Sequence, residues 1–365
     1  MVLHLLTDDK FSDSIVKQFS SKEMLSDFVL LAYPEEMQHF HYENKAITVI
    51  NPSKESDLKR LLSLVSNYST VVFHGFYHAW QAWLLNRWPE HVKIAWVCWG
   101  GEIYGQPEIV YTFLRPISKF AYWMYTKQRP KTNTGLFPRK LIEKADYCLT
   151  NMVEEYEYVK NYLSTDIRHL SFNYYTIEDT IGPLRDKVCK GKNIFLGNAA
   201  TIDSNHIEAL LRLKRLGIGD RQIVMPMSYG ELWVRNMGIK VGRFLFGRKI
   251  RPIVDFLPLD EYNSLMLDCS VMIQPHLREH AHGNIMTGLW LGMRVYLSEN
   301  CIDYNHFKHI GCKVYSIEKD LRRSNPNVFS PMSEEDIAHN RQILLSVYGR
   351  EHIDAINREL VKQLA

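Results

Sequence analysis

Three imidazoles, a guanidinium and a glycine fall within the short stretch His276-Leu277-Arg278-Glu279-His280-Ala281-His282-Gly283-Asn284. The apolar run Val271-Met272-Ile273 precedes it and reads as a buried strand, while Ile285 to Gly292 carries apolar residues at helical spacing. The order is therefore strand, polar loop, helix start. A helix start offers unpaired backbone N–H groups and the positive end of its dipole, and Arg278 with the imidazoles adds cationic side chains, so the stretch suits a phosphate or diphosphate. Read more plainly, it is an ordinary strand-to-helix connection capped by Asn284.

Four other segments carry possible chemistry at predicted strand ends. Ile194-Phe195-Leu196-Gly197-Asn198 runs into Ser204-Asn205-His206-Ile207-Glu208, where Asn205 and Glu208 have capping-box spacing and Gly197 permits close approach of backbone to a ligand. Val224-Met225-Pro226-Met227-Ser228-Tyr229-Gly230 could present a hydroxyl or an aromatic face. In the first half, Val71-Val72-Phe73-His74-Gly75 ends on an imidazole, and Ile94 to Cys98 leads through Trp99-Gly100-Gly101 to Glu102. Glu102 and His74 are the candidate general bases, since burial can raise a carboxylic acid toward neutrality and an imidazole already titrates there. From Tyr111 to Lys144 the chain is basic and aromatic: Arg115, Lys119, Trp123, Lys127 and Arg129 are the residues expected at an anionic membrane surface.

Positioning these groups requires a particular frame. Short apolar runs at Val2–Leu6, Phe28–Ala32, Ile47–Ile50, Val71–Phe73, Ile94–Cys98 and Tyr147–Leu149 alternate with helical segments such as Ser56–Val65 and His78–Leu85, a pattern of parallel βαβ units. Asn193–Gly197, Ile223–Met225, Ile253–Phe256, Val271–Ile273, Val295–Leu297 and Val314–Ser316 repeat it. The chain thus reads as α/β with two Rossmann-like doubly wound domains facing a central cleft. The expected boundaries are 1–175, a linker at 176–191 around Gly182-Pro183, a second domain at 192–333, and a helix at 334–365, broken near Gly349, that packs back on the first domain.

Composition narrows the function classes. The 44 Lys and Arg against 41 Asp and Glu leave a net charge of +3, so nothing global argues for nucleic acid. The six cysteines lack CxxC spacing, which supports neither a zinc site nor a disulfide framework and fits a reducing compartment. Met1 to Asp9 looks like a first strand and not a signal peptide, and no apolar run is long enough to span a bilayer.

Together Phe73-His74-Gly75, Trp99-Gly100-x-Glu102-x-Tyr104, Leu196-Gly197-Asn198 with Ser204-Asn205-His206-Ile207, Val224-Met225-Pro226-Met227 and the loop and helix from Arg278 to Gly292 resemble glycosyltransferase family 56. Its members are bacterial 4-acetamido-4,6-dideoxygalactose (Fuc4NAc) transferases that extend the lipid-linked repeat of enterobacterial common antigen. This chain has Glu102 where the family has Asp, and His280 and His282 where the family loop is rich in Gln and Gly. The resemblance implies a GT-B architecture, a nucleotide-sugar donor, dTDP-linked, in the second domain, and a polyprenyl-diphosphate-linked saccharide acceptor on the first. It also implies a peripheral place on the inner face of the bacterial cytoplasmic membrane and metal-independent transfer without a cofactor. The expected donor contacts are Gly197, Asn198, Ser204, Asn205, Ser228, Tyr229, Arg278, His282, Gly283 and Asn284, with Glu102 or His74 taking the acceptor proton. The same fold also serves nucleotide-sugar 2-epimerases, and a non-catalytic partner of a transferase is the other alternative.

Overall fold

The computed structural model describes residues 1–41, 47–128, 139–163 and 166–365. They form two compact units: Met1–Gln106, Asn133–Thr176 and Arg350–Ala365 make unit 1, and Pro107–Thr132 with Ile177–Gly349 makes unit 2.

The strands are β1 (Val2–Thr7), β2 (Ser26–Leu31), β3 (Thr48–Ile50), β4 (Thr70–His74), β5 (Lys93–Val97), β6 (Tyr147–Thr150) and β7 (Arg168–Ser171) in unit 1. Unit 2 holds β8 (Asn193–Leu196), β9 (Ile223–Pro226), β10 (Ile250–Ile253), β11 (Cys269–Gln274), β12 (Arg294–Leu297) and β13 (Tyr315–Ser316). Helices follow the same alternation. Unit 1 takes α1 (Ser12–Phe19), α2 (Glu55–Val65), α3 (Ala79–Leu85) and α4 (Gly101–Tyr104), after which α5 (Pro107–Val110) and α6 (Pro116–Lys127) belong to unit 2. The chain returns to unit 1 for α7 (Arg139–Ile142) and α8 (Val153–Leu163). Unit 2 then takes α9 (Ile177–Ile181), α10 (His206–Leu216), α11 (Leu232–Phe246), α12 (Leu259–Leu267), α13 (His282–Trp290), α14 (Ile302–His309) and α15 (Glu334–Tyr348), and α16 (Arg350–Leu364) ends in unit 1.

Both sheets are parallel throughout, ordered β3-β2-β1-β4-β5-β6-β7 and β10-β9-β8-β11-β12-β13. Parallel strands covered by helices on both faces are apolar along their length, and β4 and β11 are buried at every residue. In each sheet the strand order reverses once, between β1 and β4 in unit 1 and between β8 and β11 in unit 2. At such a point the connections leave to opposite faces and open a crevice beyond the carboxyl ends of the strands, where ligands bind. Both parts of the predicted chemistry sit there: His74 closes β4, Gly197 and Asn198 follow β8, and the His276 to Asn284 loop follows β11.

Three sequence expectations are corrected. The segment 107–132, expected within 1–175, belongs to unit 2, where Leu114, Ile202 and Val234 pack together with Tyr111, Tyr122 and Trp233 around them. Nor is 176–191 a free linker. Ile181 and Leu184 are buried, α9 packs on α13, and Trp290 Nε1 donates to the Arg185 carbonyl at 2.8 Å. Finally, β10 lies at Ile250–Ile253 and not at Ile253–Phe256, and the Phe256 side chain is exposed. The strand contains Pro252, which an edge strand such as β10 tolerates because one row of its N–H groups faces away from the ladder.

Candidate functional site

In unit 1 a cavity of about 540 Å³ opens at the β1/β4 switch point, lined by Thr7, Asp8, Asp9, Phe11, Tyr33, His74, Tyr77 and Trp99 among others. That volume suits a ligand of sugar or nucleotide size. Phe11 stacks on Trp99 with ring centroids 5.1 Å apart, giving the cavity a flat aromatic wall. Asp8 accepts from the backbone N–H groups of Gln38 (2.7 Å) and Phe40 (2.7 Å), and Asp9 accepts from Phe11 N (3.0 Å), so the acidic pair also shapes the rim.

His74 meets this cavity, and its Nε2 lies 3.0 Å from Nδ1 of the equally buried His4. Burial pushes His4 down to about 3 and His74 well below the usual imidazole range, the latter helped by the neighbouring ring, so both are neutral at ordinary pH. Neutral rings in this arrangement form a donor–acceptor pair, and the outer atoms, His74 Nδ1 and His4 Nε2, have no hydrogen-bond partner among the described residues.

Glu102 is placed otherwise than the sequence suggested. Its side chain is buried behind the cavity wall, accepting from Tyr77 Oη (2.6 Å), Trp96 Nε1 (2.9 Å) and Trp99 N (3.3 Å). Desolvation raises its pKa in spite of these bonds. Glu102 therefore orients Tyr77 and Trp99, which line the cavity, and does not itself line it.

In unit 2 the β8/β11 switch point gathers a second constellation. Asn284, in the first turn of α13, donates through Nδ2 to Asn198 Oδ1 (2.5 Å) and to Tyr262 Oη (2.8 Å). Asn198 Nδ2 in turn reaches Tyr229 Oη and lies 3.3 Å from His280 Nε2. Ser228 precedes Tyr229 on the loop after β9 and is half-buried. Arg278 pairs with Asp203 and also donates to the Glu279 carbonyl at 2.7 Å. Burial pushes Asp203 up, but Arg278 and His280 more than offset this and hold the carboxyl low.

The start of α13 is open. No described side chain caps it, and Ala281 at the cap position adopts the left-handed conformation (φ 64°), which is unusual for a residue with a Cβ. Helix geometry leaves the first N–H groups without intrahelical partners. Gly283 stands in this turn with ordinary helical φ, and a Cβ there would meet no described atom nearer than 3.9 Å. Within the fold a glycine here is a net cost of roughly 0.5–1 kcal/mol against alanine. Gly197 differs: its φ of +73° and the His206 ring, 2.3 Å from any added Cβ, demand glycine whether or not a ligand binds.

Three expected donor contacts are turned inward. Asn205 caps nothing, since its backbone is left-handed (φ 48°), and its buried amide clamps the 107–132 segment: Oδ1 accepts from Arg115 N (2.8 Å) and Nδ2 donates to the Phe113 (3.0 Å) and Asp203 (2.8 Å) carbonyls. Its expected capping partner Glu208 instead receives Ile117 N (2.9 Å), Ser118 N (2.8 Å) and Ser118 Oγ (2.7 Å) at the start of α6. Ser204 is buried, with Oγ donating to the Ala199 carbonyl (3.2 Å) and beside Thr201 Oγ1 (2.9 Å). The His282 ring stacks on Phe307 at 5.1 Å and meets Tyr348 edge-on at 5.3 Å, inside unit 2.

Among the membrane candidates, Lys119 and Lys127 are exposed, and Trp123 and Phe120 of α6 expose 45% and 62% of their surfaces on one face with Ile117 and Met124. Arg115 instead turns into unit 2, bonded to Glu318 and to Ser298 Oγ (2.9 Å), while Arg129 lies outside the described residues. Among the described residues no helix is long and apolar enough to cross a membrane.

Sequence reasoning passed over Tyr77, Asp203, Tyr262 and the His4–His74 pair. Asp203 stands inside a segment already singled out, but Tyr262 lies in an unremarkable helix and nothing local marks it.

No family model matches the chain, and no curated protein matches it in sequence. Solved structures match its fold over the whole length. A glycosyltransferase from Rickettsia africae is similar with a TM-score of 0.64 at 11% identity, covering 100% of this chain and 98% of its own. An α,α-trehalose 6-phosphate synthase from Burkholderia multivorans gives 0.63 at 9% (100% and 95%), and AviGT4, a glycosyltransferase involved in avilamycin A biosynthesis, gives 0.57 at 10% (100% and 97%). At such identities the likeness concerns architecture: the two doubly wound units have the GT-B fold.

Proposed function

We propose that the chain is a glycosyltransferase that takes a nucleotide-sugar donor at the β8/β11 switch point of unit 2 and an acceptor in the cavity of unit 1. One observation carries the reading: Gly283, uncapped at the α13 N-terminus, leaves room for which the fold has no use, next to the Asn198–Asn284–Tyr262 chain. A diphosphate would approach the first-turn backbone there without meeting a side chain at position 283. The first-turn N–H groups would receive its oxygens, the helix dipole and Arg278 would offset the charge that grows as the glycosidic bond breaks, and Asn198, Ser228 and Tyr229 would line the sugar side.

His74 is the better acceptor base on this geometry, because it meets the cavity and Glu102 does not. It would take the hydroxyl proton at Nδ1 while its Nε2–H bonds to His4; Glu102 would keep Tyr77 and Trp99 in place. The donor is proposed to be dTDP-linked, carrying an acetamido-dideoxyhexose such as Fuc4NAc, and the acceptor a polyprenyl-diphosphate-linked saccharide; the resemblance of the sequence motifs to glycosyltransferase family 56 supports both. The exposed face of α6, with Lys119, Trp123 and Lys127, suits an anionic headgroup layer and supports a peripheral place at the inner membrane surface.

A thermal-shift screen of dTDP-, UDP- and GDP-sugars tests the donor, because a ligand bound only by the native state raises the melting temperature. A dTDP-sugar should give the largest shift and should release dTDP in the presence of a lipid-linked acceptor. The reading fails if no nucleotide sugar shifts melting and Gly283 variants keep full transfer activity.

A further inference from the structure

Beneath the first turn of α13 lies a cluster that plays no part in the transfer chemistry above. His276 follows β11, His282 begins α13, and Cys301 and Asp303 stand at the start of α14; all four are buried. His276 Nε2 is 3.1 Å from Asp303 Oδ2, Cys301 Sγ is 3.5 Å from the same oxygen, and His282 Nδ1 is 3.6 Å from Asp303 Oδ1. One donor atom each of His276, Cys301 and Asp303 lies within 4.8 Å of the others.

Asp303 Oδ2 is well bonded and Cys301 Sγ donates to the Arg278 carbonyl at 3.2 Å, but hydrogen bonding leaves part of the cluster unsatisfied. Among the described residues neither His282 nitrogen nor Asp303 Oδ1 has a hydrogen-bond partner. Each such buried orphan costs on the order of 1–3 kcal/mol, and His282 Nδ1 and Asp303 Oδ1 face each other at 3.6 Å, beyond hydrogen-bond reach, beside His276 and Cys301. An imidazole, a thiol and a carboxylate are ligand types of zinc, and a tetrahedral site with ordinary zinc–ligand bonds separates its donor atoms by about 3.3–3.6 Å. The His276 and Cys301 separations from Asp303 Oδ2 fall close to that span, while His282 faces the other carboxylate oxygen.

We propose that His276, Cys301 and Asp303 form a structural site for one divalent transition-metal ion of the zinc class, with its fourth position toward the unpartnered His282. Binding breaks the Cys301 S–H bond, sends that proton to solvent and forms a metal–sulfur bond. His276 binds as a neutral ligand through Nε2, and Asp303 binds as the carboxylate. Thiolate and carboxylate balance the ion's two positive charges, so the filled site is neutral in a medium where net charge is expensive. Around it, His280 N donates to Asp303 Oδ2 at 3.0 Å, a bond that orients the carboxylate. The ion would tie the β11–α13 loop to the start of α14 and so brace the open turn at Gly283. It has no contact with the reacting atoms, and the site stands or falls apart from the donor assignment.

The test uses Co²⁺ and the full-length protein, freed of metal by a chelator. Wild type should bind one equivalent of Co²⁺ with tetrahedral visible bands and a thiolate-to-cobalt band in the near ultraviolet, and Zn²⁺ should displace it and raise the melting temperature. Cys301→Ser should lose the near-ultraviolet band with an unchanged circular dichroism spectrum. If that variant does not fold, competition between wild type and a chromophoric zinc chelator decides, with one tightly held equivalent expected. Absence of stoichiometric Co²⁺ or Zn²⁺ binding by wild type, or a thiolate band that survives in Cys301→Ser, overturns the proposal.

Discussion

The Asn284 amide donates to the Asn198 side-chain oxygen although 86 residues separate them in sequence. That bond links the first turn of α13 to the loop after β8, the two edges of the unit 2 switch point, and Tyr262 and Tyr229 extend the link on either side. Asn284→Ala removes the bridge but leaves the α13 N–H donors in place. We expect nucleotide-sugar affinity to fall about tenfold, the worth of roughly one well-placed hydrogen bond, with little change in melting. Calorimetry measures it, and unchanged affinity would detach Asn284 from the donor.

Gly283→Val puts a branched side chain into space that no described atom occupies within 3.9 Å of the Cβ. The fold should tolerate it, with melting within a few degrees of wild type. Turnover should drop at least tenfold, because the backbone can no longer receive the diphosphate. Full activity in a folded Gly283→Val variant would remove the central assignment.

Glu102→Gln and His74→Asn separate positioning from proton transfer. The Gln amide oxygen can still accept from Tyr77 or Trp96, so that variant should lose less than about tenfold in kcat, while removal of a general base costs roughly 10²–10⁴-fold. His74→Asn should show the larger loss. The reverse order in steady-state kinetics would make Glu102 the base.

Asn205→Ala should destabilise without touching chemistry. It removes the acceptor of Arg115 N and one donor to the Phe113 carbonyl and places alanine at a left-handed φ of 48°, for a loss of about 2–4 kcal/mol. Urea unfolding reads the loss. At temperatures where the variant is folded, its KM for donor should equal the wild type's, and a raised KM would return Asn205 to the donor site.

Acid should weaken the fold before the carboxylates titrate. His4 and His206 are held at about 3 and about 4 by burial, and His74 is also lowered, against an ordinary 6.5 in the unfolded chain. Below 6.5 the unfolded state binds protons that the native state refuses, so this contribution is complete above that pH and is lost as pH falls toward the folded values. One pH unit of difference is roughly 1.4 kcal/mol per group. Urea midpoints should therefore be lower at pH 5.5 than at pH 8, and equal midpoints would contradict the buried neutral rings.

The sequence by itself determined the βαβ alternation and the two parallel sheets. It also determined that His74, Gly197 and the His276–Asn284 loop stand at strand ends, because period, strand length and glycine placement are local properties that chain order preserves. Side-chain direction was not of that kind. His282 and Asn284 share one helical turn, yet one ring is buried against Phe307 while the other residue reaches Asn198, a difference set by the helix's rotation over its neighbours. Glu102 stands in a Gly-Gly loop suited to catalysis, and only packing sent it behind Tyr77. Likewise the placing of 107–132 in unit 2 follows from Asn205 and Glu208, some 90 residues downstream. Which residues meet across such distances is decided by the order of strands in the sheet, and no spacing rule along the chain encodes it.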